Sequence, residues 1–203
     1  IYDRYLAPLR GGLLHADGVA RPLRVLEIGV SQGGSLQLWR RYLGSKAIIF
    51  GIDIEPRCAA LDGPDASVRI GSQADPAFLA AVVAEMGGVD VIVDDGSHVA
   101  SHQKSSFETL FPLLSDGGIY IAEDLHTAYW RRGFEGGYQR PGTFIELCKA
   151  LVDDMHAWYH NQGSKVLPAH TSIQSIAFHD SVVVLEKRAK DAPFHVRVGA
   201  PSF

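Results

Sequence analysis

The chain has 203 residues, of which 46% are hydrophobic and 21% charged, and its formal net charge is -4. This length suits one domain with a sizeable core, so we expect residues 1–203 to form a single domain. The weakly acidic charge and the absence of a basic block exclude nucleic acid as the expected partner, and no apolar run is long enough to span a bilayer.

The two cysteines, Cys58 and Cys148, lack the spacing of a metal site. We therefore expect a reducing, cytoplasmic compartment, although one disulfide is also compatible with the sequence. The chain shows no signal peptide and begins at Ile1, which leaves an upstream segment open.

Short apolar runs alternate with longer amphipathic stretches along most of the chain. The apolar runs predict strands that are buried on both faces, at 24–30, 47–54, 67–70, 89–95 and 118–124. The amphipathic stretches predict helices, the second of which begins with Asp75 and Pro76, at 34–43, 75–86 and 100–114. This alternation predicts an α/β fold with a parallel sheet and right-handed crossovers.

The C-terminal third has a different pattern. Residues 127–142 are rich in glycine, arginine and aromatic residues, and they predict a loop that closes over a substrate with Tyr129, Trp130 and Tyr138. Residues 143–160 predict a helix. Residues 172–188 predict two strands that turn at His179–Asp180, so that an antiparallel hairpin closes the sheet.

A glycine-rich turn follows the first predicted strand, in the stretch VLEIGVSQGGS over residues 25–35. Glycines at a strand-to-helix turn let a ligand approach the backbone amides. A dinucleotide fingerprint requires glycine where this chain has Ser31, and the negative charge of Glu27 suits a cationic ligand better than a pyrophosphate. Asp53 ends the second strand, where a carboxylate can accept hydrogen bonds from ribose hydroxyls.

These features predict a binding site for S-adenosylmethionine, with NAD as the competing ligand. We expect the aminoacyl end along residues 27–34, the ribose on Asp53, and the adenine near residues 71–75, where polar side chains can bind base edges. The predicted cofactor contacts are Glu27, Gly29, Ser31, Gly33, Asp53, Ile54, Ser72, Gln73 and Asp94.

Three acidic residues follow two strands that we expect to be neighbours. Asp95 ends the fourth strand, and Glu123 and Asp124 end the fifth, so their carboxylates should meet at one rim of the sheet. Because these carboxylates repel one another and offer oxygen ligands, they predict a Mg²⁺ or Mn²⁺ site. Ca²⁺ is an alternative ion, and capping of the following helices is an alternative role for the acids. Because neighbouring strand residues point to opposite faces, Glu123 and Asp124 can share an ion only if the chain leaves strand geometry there.

The histidines near these acids are candidate bases. His98 lies three residues beyond Asp95, so we expect it beside the ion, where an imidazole can take a proton near neutral pH. His102 and His126 are competing candidates. His156 and His160 have the spacing of a zinc pair without a third ligand at the expected place, and we interpret them as one face of a helix.

The stretches VLEIGVSQGGSLQLWRRY, FGIDI, IVDDGSH and IAEDLHTAYW resemble the metal-dependent sugar O-methyltransferases of macrolide pathways, of the mycinamicin and tylosin type. The resemblance extends from residues 5–10 to residues 182–187. It implies one Rossmann-like class I methyltransferase domain with a mostly parallel seven-stranded sheet and a C-terminal antiparallel hairpin. It also implies that the metal ligands are Asp95, Glu123 and Asp124, and that His98 is the catalytic base.

The implied reaction is methyl transfer from S-adenosylmethionine to a sugar hydroxyl. The chain is short, and its loop 127–142 differs from that of the macrolide enzymes. A mannoside acceptor, as in the 1-O-methyltransferase of methylmannose polysaccharide synthesis, therefore fits the size better. A macrolide sugar, another natural-product diol and an aromatic diol are alternative acceptors. An NAD-dependent oxidoreductase and a non-catalytic cofactor-binding subunit are alternative functions, and homo-oligomerisation is left open.

Overall fold

The computed structural model describes residues 1–14, 20–160 and 162–200. The N-terminal segment forms helix α1 (Tyr2–Leu6), a 3₁₀ turn (Ala7–Leu9) and an antiparallel ribbon of β1 (Leu13–Leu14) and β2 (Ala20–Arg21). The sequence patterns predict none of these elements, because each is too short to show a hydrophobic period.

A sheet with helices on both faces follows the ribbon. Its parallel strands are β3 (Arg24–Ile28), β4 (Ile48–Asp53), β5 (Ser67–Ile70), β6 (Val89–Asp94) and β7 (Leu114–Ala122). The segments between these strands form α2 (Gly34–Leu43), a 3₁₀ helix (Pro56–Leu61), α3 (Pro76–Met86) and α4 (Ala100–Leu113). Helix α3 begins as predicted, because the Asp75 side chain accepts hydrogen bonds from the backbone N–H groups of Ala77 and Phe78.

The C-terminal part contains two helices and the antiparallel hairpin. Its elements are a 3₁₀ turn (Leu125–Tyr129), α5 (Phe144–Met155), a 3₁₀ turn (Ala157–Tyr159), α6 (Ala169–Ser172), β8 (Ile173–His179) and β9 (Val182–Lys187). The strand order is β5-β4-β3-β6-β7-β9-β8, and β9 is antiparallel to both of its neighbours. The predicted α/β fold, with a mostly parallel seven-stranded sheet and a C-terminal hairpin, is confirmed.

Several predicted boundaries are wrong. The strands predicted at 24–30 and 118–124 end in the structure at Ile28 and Ala122, two residues before their predicted ends. The chain turns out of the sheet at these residues. The hairpin turns at residues 180–181, one residue later than predicted.

Helix α5 ends at Met155, and the expected helix over 143–160 does not extend to His160. His156 is the C-terminal cap residue, and its Nδ1 lies 2.7 Å from the carbonyl oxygen of Val152. The interpretation of His156 and His160 as one helix face is therefore wrong.

The sheet separates two apolar layers. One layer packs α3, α4 and α5 against the sheet, and the other packs α1 and α2 against the opposite face. The central strands are buried on both faces, as predicted; all six residues of β6, for example, are buried. The same prediction is wrong for β5, where only Val68 is buried, because β5 lies at the edge of the sheet. Cys58 and Cys148 are buried free thiols. Within the described ranges, no helix combines the length and the apolar character needed to cross a membrane.

A buried carboxylate fixes the connection that leads from α5 to α6. The side chain of Asp154 is fully buried and accepts hydrogen bonds from three backbone N–H groups, those of Lys165 at 2.6 Å, Val166 at 2.7 Å and Leu167 at 3.2 Å. Hydrogen bonds to a charged acceptor are stronger than neutral ones. The residues after α5 are therefore held against the helix by one side chain.

We expect Asp154→Asn to lower the free energy of unfolding by about 2 kcal/mol, because an amide NH₂ group would face backbone donors in place of an oxygen. Urea unfolding followed by circular dichroism measures the change. The matched control is Asp153→Asn at the exposed neighbouring position, for which we expect a change within about 0.5 kcal/mol. Equal losses in both variants would contradict this role for Asp154.

Candidate functional site

A cavity of about 500 Å³ lies at the carboxyl ends of β3, β4 and β6. The strand order reverses between β3 and β6, which is where doubly wound sheets bind their ligands. The predicted cofactor residues that line this cavity are Gly29, Ser31, Asp53, Ile54, Ser72 and Gln73. Glu27, Gly33 and Asp94 lie outside the lining.

The glycine turn after β3 is in contact with the turn after β6. A side chain at Gly29 would place its Cβ 2.1 Å from the carbonyl oxygen of Asp95, and the backbone φ of Gly29 is +91°. Gly29 is therefore required because another part of the backbone lies against it, and not only for the approach of a ligand. This contact holds the Asp95 backbone against the cavity wall.

Asp53 holds the same turn from the β4 side. Its carboxylate accepts hydrogen bonds from the backbone N–H groups of Val30 at 3.0 Å, Ser31 at 2.9 Å and Glu55 at 2.9 Å. Burial acts to raise the pKa of Asp53, but these donors outweigh it, and the pKa lies below its ordinary value. Asp53 is thus an ionised acceptor on the cavity wall, with lone pairs left for a ligand hydroxyl.

The side-chain amide of Gln73 is engaged by protein groups at both ends. Its Nε2 donates to Asp94 Oδ1 at 3.1 Å, and its Oε1 accepts from the backbone N–H of Ser97 at 2.6 Å. Asp94 is fully buried and also accepts from Ser106 Oγ at 2.7 Å and Tyr120 OH at 2.9 Å. Gln73 and Asp94 therefore fix the turn after β6, and Gln73 also lines the cavity where the adenine is expected.

Glu27 lies behind the glycine turn and is only 1% exposed. Its carboxylate accepts hydrogen bonds from Ser35 Oγ at 2.9 Å and Trp39 Nε1 at 3.2 Å. Burial raises the pKa of Glu27 to about 7, although both donors act to lower it. The negative charge predicted at this position is therefore only partly formed near neutral pH.

Two carboxylates and an imidazole meet at the edge of the cavity. One ligand atom from each of Asp95, His98 and Asp124 lies within 4.8 Å of the others. His98 Nε2 is 3.8 Å from Asp95 Oδ1 and 3.6 Å from Asp124 Oδ2. The chain leaves strand geometry after Ala122, and Asp124 has a left-handed φ of +50°, so the geometric condition set by the sequence is met for Asp124.

The electrostatics of this group favour a cation. Burial, together with repulsion from Asp124 and Asp94, raises the pKa of Asp95 to about 6. Carboxylate oxygens are the ligands that Mg²⁺ and Mn²⁺ prefer in proteins, and Asp95 and Asp124 supply them here. The residues present therefore fit a divalent cation.

Glu123 lies apart from this group. Its carboxylate accepts a short hydrogen bond from the hydroxyl of Tyr2 in α1, which packs edge-on against the ring of Trp39. Burial raises the pKa of Glu123, the bond from Tyr2 lowers it, and Asp95 and Asp124 raise it again. The structure thus groups two of the three predicted metal ligands with His98 and orients the third toward the N-terminal helix.

The competing histidines have other partners. His102 lines the cavity, and its Nδ1 lies 2.9 Å from Ser97 Oγ. His126 Nδ1 lies 2.7 Å from Ser181 Oγ and 3.9 Å from Asp124 Oδ1. Of the three candidates, His98 is the one that lies within 4 Å of both Asp95 and Asp124.

The loop 127–142 is anchored at the N-terminus of α4. Phe134 O and Glu135 Oε2 accept hydrogen bonds from the backbone N–H groups of Ala100 and Ser101, each at 3.1 Å. Trp130 is 51% exposed and packs edge-on against His126, with ring centroids 4.7 Å apart. Tyr129 and Tyr138 are also exposed, so all three aromatic residues predicted to contact a substrate are accessible.

Comparison with known proteins supports one family. Residues 26–125 match the family model described as a methyltransferase domain. The chain is 35% identical, over 93% of its length and 49% of the relative, to a rhamnosyl tetracenomycin-C 2'-O-methyltransferase of Streptomyces olivaceus. It is 36% identical, over 87% of its length and 49% of the relative, to demethylmacrocin O-methyltransferase of Streptomyces fradiae. The chain is therefore similar, over most of its own length, to sugar O-methyltransferases.

A solved family member also shares the fold. The mycinamicin-pathway methyltransferase MycE, in complex with Mg, SAH and mycinamycin VI, superposes with a TM-score of 0.80 at 32% identity, covering 93% of this chain and 48% of that one. The resemblance inferred from the sequence motifs is confirmed. The chain spans about half the length of the curated relatives it matches.

The raised pKa of Glu27 predicts a pH-dependent stability. An ordinary glutamate titrates at about pH 4.3 in an unfolded chain. The contribution of protonated Glu27 is therefore fully present below about pH 4.3 and is lost as pH rises through about 7. We expect the unfolding free energy of wild type to fall relative to that of Glu27→Gln by on the order of 2 kcal/mol across this range.

Urea unfolding at a series of pH values measures this difference. The exposed variant Glu108→Gln is the control, and its unfolding free energy should follow that of wild type at every pH. If the Glu27→Gln and wild-type profiles run parallel, Glu27 does not titrate differently in the folded protein.

Proposed function

We propose that this chain transfers a methyl group from S-adenosylmethionine to a sugar hydroxyl, in a reaction that depends on Mg²⁺ or Mn²⁺. The observation that carries the proposal is the group of Asp95, His98 and Asp124 on the wall of the cavity that also holds the predicted cofactor contacts. We also propose that residues 1–203 act as one methyltransferase domain.

The cavity wall supplies groups for each part of S-adenosylmethionine. Asp53 is ionised and can accept hydrogen bonds from the ribose hydroxyls. Ile54 is 72% exposed and lines the same cavity, so that an adenine ring can cover its apolar surface. Residues 29–31 connect Asp53 to the acidic group, because Ser31 N–H donates to Asp53 and Gly29 lies against the backbone of Asp95. They are part of the segment 27–34 along which we expect the aminoacyl end.

Asp95 and Asp124 would hold the metal ion, and Glu123 is the proposed third carboxylate, oriented by Tyr2. A divalent cation held there would stabilise the negative charge that develops on the acceptor oxygen.

His98 is the proposed base. Its Nε2 faces both carboxylates, which would stabilise the imidazolium that forms when the ring takes the proton of the acceptor hydroxyl. A positioned base of this kind typically contributes a factor of about 10² to 10⁴ in rate. The deprotonated oxygen would form the new C–O bond as the C–S bond of the sulfonium breaks.

The acceptor we propose is a sugar residue of a glycosylated molecule. The relative from Streptomyces olivaceus described above is named for such a substrate, a rhamnosyl tetracenomycin. Because rhamnose is 6-deoxymannose, the mannoside expected from the sequence belongs to the same chemical class. The exposed rings of Tyr129, Trp130 and Tyr138 offer apolar surfaces on which a sugar face can pack.

Methyl transfer is tested with radiolabelled S-adenosylmethionine and four acceptors: methyl α-L-rhamnopyranoside, methyl α-D-mannopyranoside, a glycosylated macrolide and catechol. We expect label in a sugar product, loss of transfer with EDTA, and recovery with Mg²⁺ or Mn²⁺. His98→Ala should lower turnover at least about 100-fold. The same variant should change the Kd for S-adenosylhomocysteine, measured by calorimetry, by less than about twofold, since the imidazole acts on the acceptor.

His156→Ala is the matched control, because His156 lies at the end of α5 outside the cavity lining, and its turnover should equal that of wild type. Loss of activity in His126→Ala but not in His98→Ala would transfer the role of base to His126. Binding of NADH without binding of S-adenosylhomocysteine would overturn the proposal, and labelling of catechol alone would replace the sugar acceptor.

A further inference from the structure

The first turn of α4 obtains hydrogen-bond partners from a distant loop of the chain. The first backbone N–H groups of an α-helix have no carbonyl partner within the helix, and a polar side chain at the N-cap position commonly accepts one of them. The N-cap residue of α4 is Val99, whose apolar side chain cannot do so. Ala100 N–H donates instead to Phe134 O, and Ser101 N–H to Glu135 Oε2, each at 3.1 Å. The loop therefore supplies the cap that Val99 cannot.

Glu135 makes this contact from a strained backbone conformation. Its φ is +58°, in the left-handed region, which side chains other than that of glycine rarely adopt. Such a conformation persists only where the surrounding structure holds it. Hydrogen bonds from the side chain and the backbone N–H of Ser101 keep the pKa of Glu135 below its ordinary value. The capping group is therefore an ionised carboxylate, the charge that the N-terminal end of a helix favours.

The loop 127–142 is also packed against itself. Gly136 N–H donates to Trp130 O at 2.9 Å. A Cβ at Gly136 would lie 2.5 Å from Thr127 O, so the two arms of the loop meet without room for a side chain. Because the loop is packed in this way, its contact with α4 also sets the position of the segment around Trp130.

Trp130 lies one ring away from a proposed metal ligand. Its indole packs edge-on against Phe134, with ring centroids 5.5 Å apart, and against His126, with ring centroids 4.7 Å apart. His126 Nδ1 lies 3.9 Å from Asp124 Oδ1. The side chain of Trp130 is nevertheless half exposed, so that it offers an apolar surface to a molecule bound at the acidic group.

We infer that Glu135 is a positioning residue for the acceptor, because by capping α4 it holds Trp130 as a preformed wall beside the metal group. This inference rests on the proposed function and deepens it. The sequence predicts a loop that closes over a substrate, whereas here the loop is in place before the acceptor binds. A preformed wall loses less conformational freedom on binding than a mobile one, and it therefore binds the acceptor more tightly.

The first test measures how often the loop detaches from α4. The full chain is digested with a low concentration of trypsin, and mass spectrometry follows cleavage after the exposed residues Arg131 and Arg132. Cleavage of a folded segment tracks the population of its opened form. Glu135→Ala should be cut about fivefold to 30-fold faster than wild type, the factor that corresponds to losing a helix-capping side chain. Glu135→Gln keeps an acceptor oxygen and should be cut at nearly the wild-type rate.

Gln139→Ala is the matched control. Gln139 is exposed, belongs to the same loop and also has a left-handed φ, of +52°, so its variant should be cut at the wild-type rate. Glu135→Asn suits the left-handed backbone, but its side chain is one carbon shorter, so it should behave as Glu135→Ala does. If Glu135→Ala fails to fold, Glu135→Asn still decides.

The second test measures the KM for the sugar acceptor that the labelling experiment identifies. Glu135→Ala should raise this KM at least about threefold, because the acceptor then binds well only to the fraction of chains whose loop is in place. Glu135→Gln should restore the wild-type KM. The KM for S-adenosylmethionine should not change, because none of the described residues that line the cofactor cavity belongs to this loop.

Equal cleavage of wild type and Glu135→Ala would overturn the inference, because Glu135 would then not hold the loop. Faster cleavage with an unchanged KM for the acceptor would also overturn it, since the loop would then not form the acceptor wall. If the cleavage rates differ as expected but wild type transfers no methyl group to any acceptor, the proposed function is removed and the contact between Glu135 and α4 stands.

Discussion

The site depends on a row of backbone hydrogen bonds that continues the sheet beyond its strand ends. Gly29 N–H donates to Ile52 O at 2.9 Å, Asp95 N–H to Ile28 O at 3.0 Å, and Glu123 N–H to Asp94 O at 2.9 Å. These three bonds join the ends of β4, β3, β6 and β7 in sequence. They fix the point along each strand at which the chain leaves the sheet. Because of this register, the residues proposed to bind the cofactor lie next to those proposed to bind the metal.

The packing around Gly29 makes this arrangement specific. The Asp95 carbonyl occupies the space that a side chain at position 29 would need, so the glycine turn after β3 and the turn after β6 form one packed unit. Gln73 and Asp94 hold the same unit from the other side, through the backbone N–H of Ser97. A change in either turn is therefore expected to affect both halves of the site.

This geometry places the carboxylates of Asp95 and Asp124 close together, so that their negative charges repel each other. Asp95 and Asp124 approach each other without a described lysine or arginine within salt-bridge distance, and the pKa of Asp95 is raised by burial and by that repulsion. Structural acids elsewhere in the chain are treated differently: Asp90 is buried beside Arg21 and Arg24, and Asp154 accepts three backbone N–H groups. The uncompensated pair is what distinguishes the candidate metal site from the structural acids.

The sequence was sufficient to predict the sheet, the hairpin and the strand-end acids, because hydrophobic period and chain order determine them. It could not predict the bond from Tyr2 to Glu123, which joins residues 121 positions apart through a helix too short to show a period. It also could not predict that the Gln73 side chain bonds to Asp94 and Ser97, because nothing in the sequence around a loop glutamine shows whether its side chain is buried. The overlong prediction for α5 failed because apolar periodicity continued past Met155, where the chain turns back.

Asp95 and Asp124 are proposed to hold a divalent cation beside the methyl donor. The most direct measurement is a crystal structure with S-adenosylhomocysteine and MnCl₂, recorded near the manganese absorption edge. We expect an anomalous difference peak between the Asp95 and Asp124 carboxylates, next to His98 and facing the bound cofactor. A map with S-adenosylhomocysteine in the cavity and no manganese between these two carboxylates would contradict it.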